Sequence, residues 1–190
     1  PVVAVAYNIA FEKEGVDKRV TADDLKKLFG KPMDVIFEQL FPEKDKETRQ
    51  SLADKALDLE NKLLAENYAD YYPGTREVLL RLSKKLPLFI VSNCQCGYIE
   101  IVIKGAKLES IIKDFLCFGD TGTSKGQTIL RLMERNGLKN PIYVGDIQGD
   151  ADACKEAGIP IIYASYGFGK IENPYGTILD ISELTELFDC

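Results

Sequence analysis

Pro87-Leu88-Phe89-Ile90-Val91-Ser92, followed at once by Asn93, is the stretch whose reading decides the fold. It is too short for a helix and too continuously apolar for a strand with one wet face, which predicts a strand of a parallel sheet covered on both sides. Similar runs recur downstream at Phe115 to Phe118, Ile142-Tyr143-Val144-Gly145 and Pro160 to Ala164, with a shorter one at Thr177 to Leu179. Between them the apolar spacing changes to the helical period: Thr75 to Lys85, segments after Gln95 and from Leu108, Ser124 to Asn136, Asp150 to Ala157, and a closing helix from Ser182. Such βα alternation specifies an α/β fold with a doubly wound parallel sheet. Ligands of these sheets sit beyond the carboxyl ends of the strands, so chemistry is sought just after each run.

Upstream the pattern is different. Residues 1 to about 66 read as helix: Tyr7, Ala10 and Phe11 recur at helical spacing and Gly15 ends the run. Thr21 with Asp24 has the spacing of a capping box for a helix over Asp23 to Phe29. Pro32 opens a helix reaching Leu40, and Lys46 to Ala65 places Leu52, Ala56, Leu59 and Leu63 on one face. The expected organisation is a small all-helical domain over residues 1–66 and a Rossmann-like core over 67–190. Val2-Val3-Ala4-Val5 also admits a second reading, a degenerate first strand.

The 190 residues are 45% hydrophobic and 28% charged, as in a globular chain, with a net charge of −6 that offers no basic stripe for a nucleic-acid backbone. The absence of histidine closes off Ser-His-Asp and Cys-His hydrolases and His-ligated metal sites. Acid and base work falls to carboxylates, Lys, Tyr or Cys, and any metal would be hard and oxygen-liganded. Five cysteines, an odd number without a CxxC pair, read as reduced packing residues. No apolar run is long enough to span a bilayer and no leader opens the chain, so a soluble cytoplasmic protein, monomer or homodimer, is expected without nucleic-acid or membrane partners.

Three strand ends carry polar groups. Ser92-Asn93 supplies a hydroxyl and an amide beside a helix start, fit either for a phosphoryl oxygen or for a simple cap. Lys125 follows Gly122-Thr123-Ser124 at a helix N-terminus, where a cation opposes the macrodipole unless an anion or carboxylate faces it. Gly145-Asp146-Ile147-Gln148-Gly149-Asp150-Ala151-Asp152 sets three carboxylates directly after a buried run, as a magnesium site requires. Gly167-Phe168-Gly169-Lys170 lacks the length and hydroxyl of a phosphate-binding P-loop.

These motifs, in order and with Ala157-Gly158-Ile159-Pro160 after the last, resemble the second, third and fourth motifs of the haloacid dehalogenase superfamily. Tyr72-Pro73-Gly74 and Tyr166-Gly167-Phe168-Gly169 are similar to its phosphoglycolate-phosphatase-like branch with a helical cap. The resemblance implies a Mg2+-dependent phosphatase for a small phosphorylated substrate, working through an aspartyl-phosphate. By that likeness Ser92 and Lys125 are catalytic, Ser92, Asn93 and Lys125 bind phosphate, and Asp146 and Asp150 ligate or orient magnesium. Lys31, in the Gly30-Lys31-Pro32 loop, is either a group for a second anion on the substrate or a solvated lysine. The family's first motif, an Asp-x-Asp that supplies nucleophile and acid, does not match: Asp150-Ala151-Asp152 belongs to the fourth. The resemblance implies that the opening strand and its aspartates precede Pro1. A catalytically silent phosphate-binding member and a phosphomutase are the alternatives.

Overall fold

A computed structural model describes residues 2–66 and 71–190; the expected domain junction after residue 66 abuts 67–70, outside the described residues. Four helices come first: α1 (Val2–Lys13), α2 (Ala22–Lys26), α3 (Met33–Leu40) and α4 (Lys46–Glu66). Loops separate them where Gly15, Gly30 and Pro42 punctuate the sequence, as their spacing predicts. Val2 to Val5 is helical, not a strand. Its three valines are poor helix formers, but Ala4, Ala6, Tyr7, Ala10 and Phe11 all bury on one side, and tertiary packing overrides propensity. The rings of Tyr7, Phe11, Phe37 and Phe41 meet mostly edge-on or tilted at 5.0–6.3 Å and form the centre of this helical core. Thr21 caps α2 as its spacing predicts: its hydroxyl accepts from the Asp24 N–H, and the Asp24 carboxylate accepts from the Thr21 N–H at 3.0 Å.

Residues 71–190 alternate as the sequence predicts. After α5 (Thr75–Leu82) come β1 (Leu88–Ser92), α6 (Tyr98–Gly105), β2 (Ile112–Cys117), the short α7 (Phe118–Thr121) and α8 (Lys125–Asn136). Then follow β3 (Tyr143–Gly145), α9 (Gln148–Ala157), β4 (Ile161–Ala164), β5 (Gly176–Ile178) and α10 (Glu183–Leu187). The helix expected from Leu108 is not there. Lys107 adopts φ 56°, and the Leu108 N–H donates back to Ile103 O (2.8 Å), so Leu108 closes α6 and packs beneath it before β2 begins.

All strand pairings are parallel, but they form two sheets, β1–β2 and β3–β4–β5, and β1 is not paired with β3. Between them lies a cavity of about 690 Å³ walled by apolar side chains of both strands, including Leu88, Ile90 and Val144, and by Leu82 and Leu132 from flanking helices. All five residues of β1 are therefore half-buried instead of fully buried as a sandwiched strand predicts. The half-buried Tyr143 hydroxyl reaches across the gap and donates to the Val91 carbonyl at 2.9 Å. Among the described residues no helix is long and apolar enough to cross a membrane.

Candidate functional site

Ser92 ends β1 and Asp146 follows β3, so both lie at the same carboxyl edge. With Asn93 they line a second cavity, of about 350 Å³, whose opposite wall comes from α1–α4 and their loops, Lys31 among it. The two walls touch directly. Asn93 Nδ2 donates to Gly30 O (2.7 Å), the Phe29 and Phe168 rings meet at 5.8 Å, and Asn61 Nδ2 donates to Cys96 O (2.9 Å). Val3, in the first turn of α1, also reaches this cavity, so the chain enters the helical domain beside the strand ends.

Lys125 does not line the cavity; it acts on its edge through Asp150. Its Nζ sits 2.5 Å from Asp150 Oδ1, and both side chains are nearly sealed from solvent, at 10% and 6% exposure. Asp150 is thus the carboxylate that makes a cation tolerable at the start of α8. The other oxygen of Asp150 accepts from the backbone N–H groups of Asp146 (3.1 Å) and Ile147 (3.3 Å), which fixes the turn carrying Asp146. Both Asp150 oxygens are engaged. Gly145 makes this possible, since a Cβ there would stand 2.7 Å from Asp150 Oδ2.

Asp146 is the freer acid. One oxygen accepts from the Phe168 N–H at 2.7 Å, and the rest of the half-buried carboxylate faces the cavity. A hard cation bound by one carboxylate, substrate oxygens and waters matches that donor set. Gly167 packs against it so closely that an added Cβ would lie 2.3 Å from Asp146 Oδ2. With Asp146 as a ligand for a hard cation such as Mg2+, Gly167→Ala is expected to displace the carboxylate and weaken that binding by about tenfold or more, measured by titration calorimetry; an unchanged affinity would argue against Asp146 as a ligand. Lys31 donates to Gln39 Oε1 (2.9 Å), so its amine lies along the rim, held within its own domain.

Two features escaped the sequence reading. Cys94, Cys96 and Cys117 gather at the ends of β1 and β2, and the ligand atoms of Cys96, Cys117 and Asp120 fall within 4.8 Å of one another. Burial pushes the Cys94 thiol up to about 11; burial, and then the Asp120 carboxylate, raise Cys96 and Cys117 as well, so all three are poor nucleophiles at neutral pH. The second is Glu60. The buried stripe of α4 runs through Leu52, Ala53, Ala56, Leu57, Glu60 and Leu64, rotated from the expected Leu52, Ala56, Leu59, Leu63 face. An acid within that stripe was the available signal.

Glu60 lines the cavity, is 5% exposed, and is pushed up to about 7 by burial, against the opposing hydrogen bond from Gln95. Its pKa is higher folded than unfolded, so the unfolded chain ionises first. Stability from this group is complete below about pH 4.5 and is lost as pH rises to about 7, by on the order of 3 kcal/mol. Glu60→Gln should flatten that slope in urea unfolding compared at pH 5 and pH 8; the same slope in both proteins would contradict the assignment.

The model of the haloacid dehalogenase-like hydrolase family matches residues 1–164. A phosphoglycolate phosphatase of Pseudomonas syringae pv. tomato is 27% identical over 148 residues, 71% of this chain and 54% of that protein. That of Escherichia coli K12 is 26% identical over 125 residues, 63% and 48% of the two chains. The chain spans about half the length of the curated relatives it matches. A haloacid dehalogenase-like hydrolase from Streptococcus pneumoniae superposes with a TM-score of 0.83 at 18% identity, covering 98% of this chain and 90% of that one, a likeness of fold alone.

Proposed function

The chain belongs to the haloacid dehalogenase-like hydrolase family, and on that premise we propose that it is the cap, residues 1–66, and most of the core, residues 67–190, of a magnesium-dependent phosphatase for a small phosphorylated metabolite. The observation that carries the reading is the cavity at which Ser92, Asn93 and Asp146 converge from two strand ends beneath the helical domain. Ser92 Oγ accepts from the Cys94 N–H (3.3 Å), which leaves its hydroxyl proton for a phosphoryl oxygen. The Asn93 amide stands beside it. Lys125 contributes positive charge at the edge and, through Asp150, holds the turn that presents Asp146. Asp146 is the residue to hold magnesium, which supplies neutralisation of charge on the transferring group. The helical wall closes over the site and excludes water.

The nucleophile of this reading is an aspartate on a strand lying between β1 and β3. Three observations support it. The cavity there is apolar on both flanks, as a central strand requires. The strands on either side run parallel to their own partners and end at Ser92 and Asp146, so a strand between them would end at the site. The first turn of α1, through Val3, reaches the cavity where such a strand would end. A second reading, phosphate binding without turnover, is favoured by one fact: the described Asp-x-Asp, Asp150-Ala151-Asp152, is inside α9 and its first member is tied to Lys125.

One experiment separates the two. The chain is assayed for phosphate release from p-nitrophenyl phosphate, with and without Mg2+, alone and with a synthetic apolar peptide ending in Asp-x-Asp. Mg2+-dependent release that appears with the peptide is expected. Orthophosphate binding with no release under any condition would support the silent reading, and neither binding nor release would overturn both.

A further inference from the structure

The phosphate end of the cavity is set by Ser92, Asn93 and Asp146; the far wall, from the helical domain, decides what else the substrate carries. That wall is mostly apolar, with Phe29 and Met33 among its side chains. Its acid is Glu60, buried without a cation beside it among the described residues. The basic side chain on the wall, Lys31, spends its amine on Gln39 at the rim. Around Glu60 stand Tyr7, Tyr98 and Gln95. The Tyr7 hydroxyl donates to the Met33 sulfur (3.9 Å), and Gln95 shares its amide with Asn61 Oδ1 (3.0 Å). A carboxyl has about four acceptor positions, and Gln95 is the side-chain donor these contacts give it. Burying such a group is costly unless a partner completes it.

Resting on the phosphatase reading, we propose that Glu60 selects the organic half of the substrate: the cavity takes phosphomonoesters whose tail bears a hydroxyl or ammonium donating to the Glu60 carboxyl, and disfavours tails that end in a carboxylate. A volume of about 350 Å³ suits a compact polyol or amino-alcohol phosphate. A hydroxyl bonds the carboxyl in either protonation state, and an ammonium pairs with it as a carboxylate. Above about pH 7, where the Glu60 carboxyl is ionised, a second carboxylate in the same pocket meets like charge in a low-dielectric wall, which costs heavily. The tail preference then differs from that named for the curated relatives, whose phosphoglycolate ends in a carboxylate.

Titration calorimetry at pH 8, where Glu60 is ionised, in excess Mg2+ tests this with four probes: orthophosphate, 2-aminoethyl phosphate, glycerol 3-phosphate and phosphoglycolate. Both donor-bearing esters are expected to bind at least about tenfold more tightly than phosphoglycolate. In Glu60→Gln the gap should shrink to within about threefold, with phosphoglycolate gaining affinity, whereas Glu60→Asp, which keeps the charge, should retain the order. If orthophosphate binds but phosphoglycolate equals or exceeds the other esters, or the gap survives in Glu60→Gln, the role of Glu60 is overturned and the phosphatase reading stands. If orthophosphate itself does not bind, the phosphatase reading falls and this one with it.

Discussion

Replacing Lys125 with alanine should produce a protein that is less stable and, on the phosphatase reading, almost inactive, and the two losses have separate causes. Asp150, in the first turn of α9, is buried against the start of α8 with Lys125 as its counter-ion. Removing one member of such a pair leaves an uncompensated charge in a low-dielectric setting, which costs about 3–5 kcal/mol. The double variant Lys125→Met, Asp150→Asn removes both charges and should recover most of that loss, as a denaturant cycle over the four proteins will show. Activity will not return with it. On the phosphatase reading, losing a preorganised positive group costs roughly 10²–10³ in kcat, and the neutral pair restores packing without restoring charge. A double variant with wild-type turnover would show that Lys125 is purely structural.

On the same reading Asp146→Asn is expected to give the opposite profile: near-normal stability with Mg2+ binding and phosphate release abolished together. The acceptor for the Phe168 N–H survives in an asparagine carbonyl, and the turn is still fixed by Asp150 through the Asp146 and Ile147 N–H groups. What disappears is the negative charge a hard cation needs. Loss of affinity should exceed about a hundredfold, read by calorimetry, while the urea midpoint moves little. Wild-type Mg2+ dependence in this variant would transfer the metal role elsewhere.

Much of this architecture was legible from spacing. The apolar runs at 87–92, 142–145 and 160–164 became parallel strands within a residue or two at each end, because a covered strand leaves little else for such a run to do. Thr21 and Asp24 formed the capping box their separation implies. The oddity of Lys125 at a helix start did point to a facing anion, but spacing could not say that the anion was Asp150, twenty-five positions away. Glu60 was missed because α4 carries charge on most of its turns, and only packing against Tyr7 and Tyr98 distinguishes the one acid that is sealed. No local pattern encodes the separation of β1 from β3, since strand order depends on long-range pairing; the expected opening strand before Pro1 was the one signal that bore on it.

The bond from Asn93 to the Gly30 carbonyl joins the phosphate end of the site to a loop of the helical domain. On the phosphatase reading, the amide that binds phosphate is thus also a latch on the cover, and it has two N–H groups with which to do both. On that reading each turnover requires the latch and the Phe29–Phe168 ring pair to part before product leaves. Opening rate, and with it sensitivity to solvent viscosity, becomes a property written into residue 93.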